Sequence, residues 1–98
     1  MHLSAMRDIS SLRDNLNRTT VAFLRTDLDT GIMLARIATG ARINSERRER
    51  STRKARMAYD TVVKFRRQTP MSTEMMNAID EKISRLRSML EMLGESFA

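Results

Sequence analysis

The chain has no cysteine, no tryptophan, one proline and three glycines, and His2 is its only histidine. The absence of cysteine excludes a disulfide scaffold, thiolate zinc sites and thiol catalysis, and it is typical of a reducing compartment, so we expect a cytoplasmic protein. With a single histidine, one chain cannot form a histidine-based metal site or a catalytic triad. Aromatic residues make up only 4% of the sequence. This scarcity of aromatics, glycine and proline disfavours strands and favours helices.

Long apolar runs are also missing. Charged residues interrupt every apolar run in residues 1–14, so we expect no secretory signal. The longest uncharged runs, such as Thr19–Leu24, are far too short to span a bilayer. A chain of 98 residues, of which 41% are hydrophobic, is expected to form one domain, residues 1–98, with a modest core.

The C-terminal third carries the clearest helical pattern. Apolar residues recur there at alternating steps of three and four, which predicts a helix over 73–93. Ser72 suits the N-cap of this helix, Gly94 suits its C-terminal end, and Thr69-Pro70 marks the break before it. The stripe consists of Met76, Ile79, Ile83, Leu86, Leu90 and Leu93.

Two further long helices are predicted over 20–39 and 45–67. The second should begin at an N-cap formed by Asn44 or Ser45. A short amphipathic helix is predicted within 1–17, and it either ends at a weak break or merges with the next helix. The apolar face of segment 1–17 consists of Ala5, Ile9, Leu12 and Leu16. That of segment 20–39 consists of Val21, Leu24, Leu28, Gly31, Ala35 and Ala38. That of segment 45–67 consists of Ala55, Ala58, Tyr59, Val62 and Phe65.

Short connections between these helices favour antiparallel neighbours. We therefore predict an all-α, antiparallel, up-down-up three-helix bundle with an additional short N-terminal helix. If the chain reverses near residues 40–44, Ala35 lies opposite Ala55 and Gly31 lies opposite Tyr59. The missing side chain at Gly31 would then allow the first two long helices to pack closely.

The middle helix also contains a repeat-like spacing. Ala55, Tyr59 and Val62 follow the pattern A-x-x-x-[FY]-x-x-[A/V], so this one helix resembles a helix of a tetratricopeptide or microtubule-interacting-type module. The resemblance implies a non-enzymatic module that binds peptides or partner helices.

Asp29-Thr30-Gly31 repeats the D-T-G tripeptide of aspartic proteases, and Asp27 with Asp29 forms a D-x-D pair. At about 100° per residue, the two carboxylates point roughly 200° apart on a helix, so they cannot share a proton or a metal ion. A protease would also require strands and glycine-rich flaps, and a calcium loop would require more oxygen ligands than the following apolar residues supply. We therefore interpret the motif as a helix turn, in which Asp29 lines up with Arg25 and Arg36.

The positive charge is concentrated between Arg42 and Arg67. This segment holds ten basic and three acidic residues, a net +7, whereas the whole chain carries +6, so the remainder carries −1. The segment is either a phosphate-binding surface for nucleic acid or another polyanion, or a solvated helix face with i,i+4 ion pairs. The candidate polyanion-binding residues are Arg42, Arg47, Arg48, Arg50, Arg53, Lys54, Arg56, Lys64 and Arg67.

Three methionines, Met75, Met89 and Met92, flank the apolar stripe of the third helix and widen it. Pliable methionine surfaces receive partner helices, and methionines also fill gaps in small cores or line a homodimer seam. In either case the width of this face indicates association with a protein partner or with a second copy.

These features predict a small non-enzymatic helical module for protein–protein interaction or structural support, homodimeric through the third helix. The alternative is a nucleic-acid- or polyanion-binding protein that uses residues 42–67. We expect no catalytic residues, cofactor, metal site, small-molecule substrate or membrane span, since no positioned nucleophile, base or ligand set is present.

Overall fold

The computed structural model describes the backbone of residues 2–97 and the side chains of residues 9–97. It contains three helices, of which α1 spans His2–Gly40, α2 spans Glu46–Arg66 and α3 spans Thr73–Met92. No strand occurs among the described residues. Each helix packs against both others, so the predicted all-α class and three-helix bundle are confirmed.

Helix α1 is one continuous helix of 39 residues, and the weak break expected at Asn17–Thr20 is absent. The hydroxyl groups of Thr19 and Thr20 donate hydrogen bonds to the carbonyl oxygens of Asn15 and Leu16, one turn earlier, at 2.9 Å each. The hydroxyl groups of both threonines are therefore hydrogen-bonded within the helix, and neither residue ends it.

The ends of α2 and α3 are fixed by local hydrogen bonds. Ser45 and Ser72 act as N-caps, accepting hydrogen bonds from the backbone N–H groups of Arg48 and Met75 at 3.1 and 3.2 Å. Gly94 adopts the left-handed region with φ 96°, and the N–H of the next residue, Glu95, donates to the carbonyl of Leu90 at 3.0 Å. This arrangement ends α3 at Gly94, as predicted from the sequence.

The core lies between the three helices, and α1 supplies most of it. Val21, Leu24, Leu28, Ile32 and Ala35 form a buried stripe along α1, as the spacing predicted for most of them. Their partners from the other helices are Ala55, Tyr59 and Val62 of α2 and Ile79, Leu86 and Leu90 of α3.

The predicted pairing of α1 with α2 is wrong by part of a helical turn. Gly31 lies against Ala58 and the backbone of Ala55, with Leu86 of α3 beside it, and Tyr59 is not among its nearest neighbours. The connection at residues 41–45 is tight: Ser45 N–H donates to the Arg42 carbonyl, and Asn44 adopts φ 62°. Gly31 therefore meets Ala55 and Ala58, which come slightly earlier in α2 than Tyr59.

Candidate interaction surface

The segment from Asp27 to Gly31, which contains the D-T-G tripeptide, lies well inside α1, and Asp27 and Asp29 point to different sides. The carboxylate of Asp29 binds the ammonium group of Lys82 in α3, and not Arg25 or Arg36 as the spacing suggested. Asp27 faces a groove between α1 and α2 that also contains Lys54, and burial raises the pKa of its carboxyl group. Asp29 is therefore bound to α3, whereas Asp27 faces α2 across the groove.

Three members of the basic segment are held by contacts inside the bundle. Arg48 donates to the carbonyl oxygen of Ala38 at 3.4 Å, while Arg56 pairs with Asp60 and Glu95. Arg66, which belongs to the segment but was not a candidate residue, forms a two-bond ion pair with Asp80, which raises the pKa of the guanidinium. No ion pair among the described residues involves the other seven candidates, Arg42, Arg47, Arg50, Arg53, Lys54, Lys64 and Arg67.

The three candidate methionines do not lie in one environment. Met75 and Met89 are half-buried and pack against the core, whereas Met92 at the end of α3 is 83% exposed. Met75 also lines a cleft of about 380 Å³ between α1 and the start of α3, together with Val21 and Met71. The first two methionines thus fill space beside the core, whereas the side chain of Met92 lies in solvent.

A long row of uncovered apolar side chains lies on α1. Ile9, Leu12, Leu16 and Phe23 are each 58–61% exposed, and all side chains from residue 9 to 16 are exposed. Residues 2–16, here called the arm, therefore extend α1 beyond the bundle, and the molecule including the arm is 64 Å long and about 20 Å wide. Large apolar side chains that share one exposed face mark an interaction surface.

The arm residues and the core residues of α1 occupy different faces of the same helix. At about 100° per residue, Ile9, Leu12, Leu16 and Phe23 cluster roughly 130° away from the stripe that enters the core. The bundle therefore cannot cover them, since α2 and α3 pack on the other stripe. We call this uncovered stripe the α1 face.

Within the bundle, the α1 face continues into a groove between α1 and α2. Phe23, Thr30 and Leu34 of α1 line this groove together with Met57 and Ala58 of α2, and its volume is about 330 Å³. Met57 is 69% exposed, so the groove has an apolar rim on both sides. The arm and the groove together form one largely apolar surface along α1, with Asp27 and Lys54 as the charged residues of the groove.

Sequence reasoning missed the α1 face because it considered the apolar residues of 1–17 separately from those of 20–39, although it left open that the two segments form one helix. The signal was present in the spacing of Ile9, Leu12, Leu16 and Phe23, which recur in steps of three, four and seven residues. On one continuous helix these four residues fall on the same side, and Leu24 and Leu28 fall on a different side. Treating residues 1–39 as one helix would therefore have shown a second apolar face.

The C-terminal residues form a second cluster that the sequence did not predict. The ring of Phe97 packs edge-on against Tyr59, with 4.8 Å between ring centroids. The guanidinium groups of Arg56 and Arg87 lie 4.0 and 4.9 Å from the centroid of the Phe97 ring. Phe97 thereby joins α2 to α3, and the cluster serves the fold.

The described residues contain no group of three or more potential metal ligands, and none of the described helices is long and apolar enough to cross a membrane. Comparison of the chain with protein-family models, curated proteins and solved structures finds no match.

Proposed function

We propose that this protein is a non-enzymatic helical module that binds a helical protein surface through the α1 face. The observation that carries the proposal is the continuous exposed stripe of Ile9, Leu12, Leu16 and Phe23, which leads into the groove beside Met57. A partner helix that lies along α1 would cover the arm and fill the groove at the same time, as helices do in apolar grooves of other interaction modules.

The tetratricopeptide-type resemblance of α2 implies a role of the same kind. The residues that carry this resemblance, Ala55, Tyr59 and Val62, are buried in the bundle. They support α2 from inside, so a partner would contact the outer rim of the groove at Met57 instead.

Site-specific photo-crosslinking tests the proposal. A photoreactive amino acid in place of Leu12 should form adducts with a bound protein in cells that produce the chain. The matched control replaces Asp14, which is also exposed but lies about 200° away from Leu12 around the helix. Adducts at position 12 and none at position 14 would support binding through the α1 face, whereas equal adducts or none at position 12 would contradict it.

The second candidate function is polyanion binding, and the exposed basic residues of the α2 half of the bundle favour it. Arg47, Arg50 and Arg53 lie in the first two turns of α2, are exposed and take part in no ion pair among the described residues. Neutralising such groups weakens phosphate binding and reduces its dependence on salt.

The test compares two triple variants that remove equal charge. Arg47→Gln, Arg50→Gln and Arg53→Gln should abolish binding to duplex DNA or single-stranded RNA, whereas Arg25→Gln, Arg36→Gln and Arg85→Gln should preserve it. Arg48 is left intact because it contacts the Ala38 carbonyl. An absence of binding by the native chain at low salt would remove this candidate.

A further inference from the structure

The geometry points to a second copy of this chain as the occupant of the α1 face, bound antiparallel through a two-fold axis that crosses α1 near Leu16 and Thr19. In this pairing the arm of each copy lies in the α1–α2 groove of the other. The inference rests on the proposed function and names its partner.

The α1 face is complementary to itself. Its outer half, Ile9 to Leu16, is a projecting apolar ridge, and its inner half, from Phe23 onward, borders a largely apolar groove. A two-fold axis between the halves brings Leu12 of one copy to the level of Phe23 in the other, so each ridge covers the Phe23 end of the other copy's groove. Such an interface is isologous, because the same surface serves both copies.

The described part of the arm has no tertiary contacts that would keep it helical in a single copy. The described arm side chains, residues 9–16, are all exposed, so the bundle gives them no tertiary support. An isolated helix of about 15 residues is only marginally stable in water, even with good helix formers. The arm carries Ser and Asn among its polar residues and therefore depends on a neighbouring surface to stay helical.

The distribution of charge along the chain favours the antiparallel arrangement. The arm contains two arginines and two aspartates and so is neutral, whereas residues 42–67 carry +7. The densest basic part, Arg42–Lys54, lies at the end of the bundle away from the arm. An antiparallel pair separates the two basic ends by about 70 Å along the helices, many times the screening length of about 8 Å at physiological salt. A parallel pair would place them side by side.

The exposed area is sufficient for a specific dimer. Ile9, Leu12, Leu16, Phe23 and Met57 are each 58–69% exposed. Together they offer roughly 600 Å² per copy, or about 1,200 Å² in the pair, which is the lower limit for stable specific interfaces. Met92 and Ile43 are more exposed still, but they lie at the opposite end of the bundle, away from the α1 face.

Sedimentation of the purified full chain tests the pairing. At tens of micromolar the native chain should sediment at twice its mass of 11.3 kDa, and the Leu12→Glu, Leu16→Glu variant should sediment as a monomer. Met92→Glu and Ile43→Glu are the matched controls and should remain dimeric. A monomeric native chain would overturn the inference. It would also be overturned if Met92→Glu dissociated the dimer while the Leu12→Glu, Leu16→Glu variant remained dimeric.

Single-cysteine variants test the orientation, since the native chain has no cysteine. Thr19→Cys lies near the two-fold axis and should form a disulfide with its own copy under mild oxidation. Ile9→Cys should not, because an antiparallel pair holds the two copies of residue 9 about 25 Å apart along the helix. Disulfides at both positions would indicate a parallel pair and overturn the arrangement.

The photo-crosslinking experiment separates this inference from the proposed function. Adducts of position 12 with a second copy support both. Adducts with a different protein, from a chain that sediments as a monomer, leave the interaction surface in place and overturn self-association. The absence of any adduct at position 12 contradicts both.

Discussion

Gly31 of α1 lies so close to Leu86 of α3 that a Cβ atom added at position 31 would stand 2.9 Å from the Cδ2 atom of Leu86. The same Cβ would stand 3.1 Å from the Cβ of Ala58 in α2. Gly31 thus lies where all three helices approach one another, and its lack of a side chain permits the approach.

A larger side chain at this point should separate the helices. We expect Gly31→Leu to lower the free energy of unfolding by about 3 kcal/mol through overpacking. Gly31→Ala should cost less, because its helix propensity offsets about 1 kcal/mol of the close contact. Gly40→Ala is the control and should be neutral or stabilising, since nothing lies within 4 Å of a Cβ there. Urea unfolding measures all three, and a native-like midpoint for Gly31→Leu would contradict the packing.

Phe97 should contribute to stability although it lies near the end of the chain. Phe97→Ala removes the edge-on contact with Tyr59 and the contacts with Arg56 and Arg87, so we expect a loss of about 2 kcal/mol. Tyr59 is the only tyrosine, and its near-ultraviolet circular dichroism should weaken in the same variant. Phe65→Ala is the control, since Phe65 is 41% exposed, and it should cost under about 1 kcal/mol. An unchanged tyrosine signal in Phe97→Ala would contradict the contact.

Asp27 should make stability depend on pH in a direction opposite to that of a salt-bridged carboxylate. Burial raises the pKa of Asp27 above its ordinary value of 3.8, so the folded chain binds a proton more tightly than the unfolded chain. The free energy of unfolding contributed by this group therefore falls as pH rises from 3.8 through the folded pKa, and it stays low at neutral pH.

The variant Asp27→Asn removes this penalty. It should be more stable than its parent at neutral pH, and the difference should shrink as pH falls through the folded pKa of Asp27 toward 3.8. Urea unfolding in the Leu12→Glu, Leu16→Glu background measures the effect without a contribution from association. A variant that is less stable than its parent at neutral pH would contradict the burial of a charged carboxylate in the groove.

The ion pair between Arg66 and Asp80 joins the end of α2 to α3 through two bonds of 2.8 and 2.7 Å. Because its geometry is bidentate but partly exposed, we expect a coupling of about 0.5–1 kcal/mol in a double-mutant cycle with Arg66→Gln and Asp80→Asn. The more exposed pair of Arg87 and Glu91 lies within one helix and should give about 0.3 kcal/mol. Equal couplings, or none for Arg66 and Asp80, would show that the two-bond geometry adds nothing to stability.

Local chemistry accounts for the features that the sequence predicted well. Ser45 and Ser72 cap their helices and Gly94 closes α3 because these residues satisfy backbone groups a few positions away, which requires no knowledge of the fold. The buried stripe of Leu24 and Leu28 likewise follows from helical spacing alone.

Features that depend on neighbouring helices were predicted less well. The sequence placed Gly31 opposite Tyr59, yet the register of α1 on α2 depends on the tight turn at Asn44. It aligned Asp29 with arginines of its own helix, whereas Lys82 of α3 lies closer. The Phe97 cluster joins residues about forty positions apart, and no local pattern reports such a contact.

The sequence alone determined that this chain is helical, where α2 and α3 begin, and which residues of α1 enter the core, because backbone capping and apolar spacing are local properties. The tertiary structure alone decided which apolar residues stay outside. Ile9, Leu12, Leu16 and Phe23 are as hydrophobic as the core residues, and they remain exposed because α2 and α3 occupy a different side of α1.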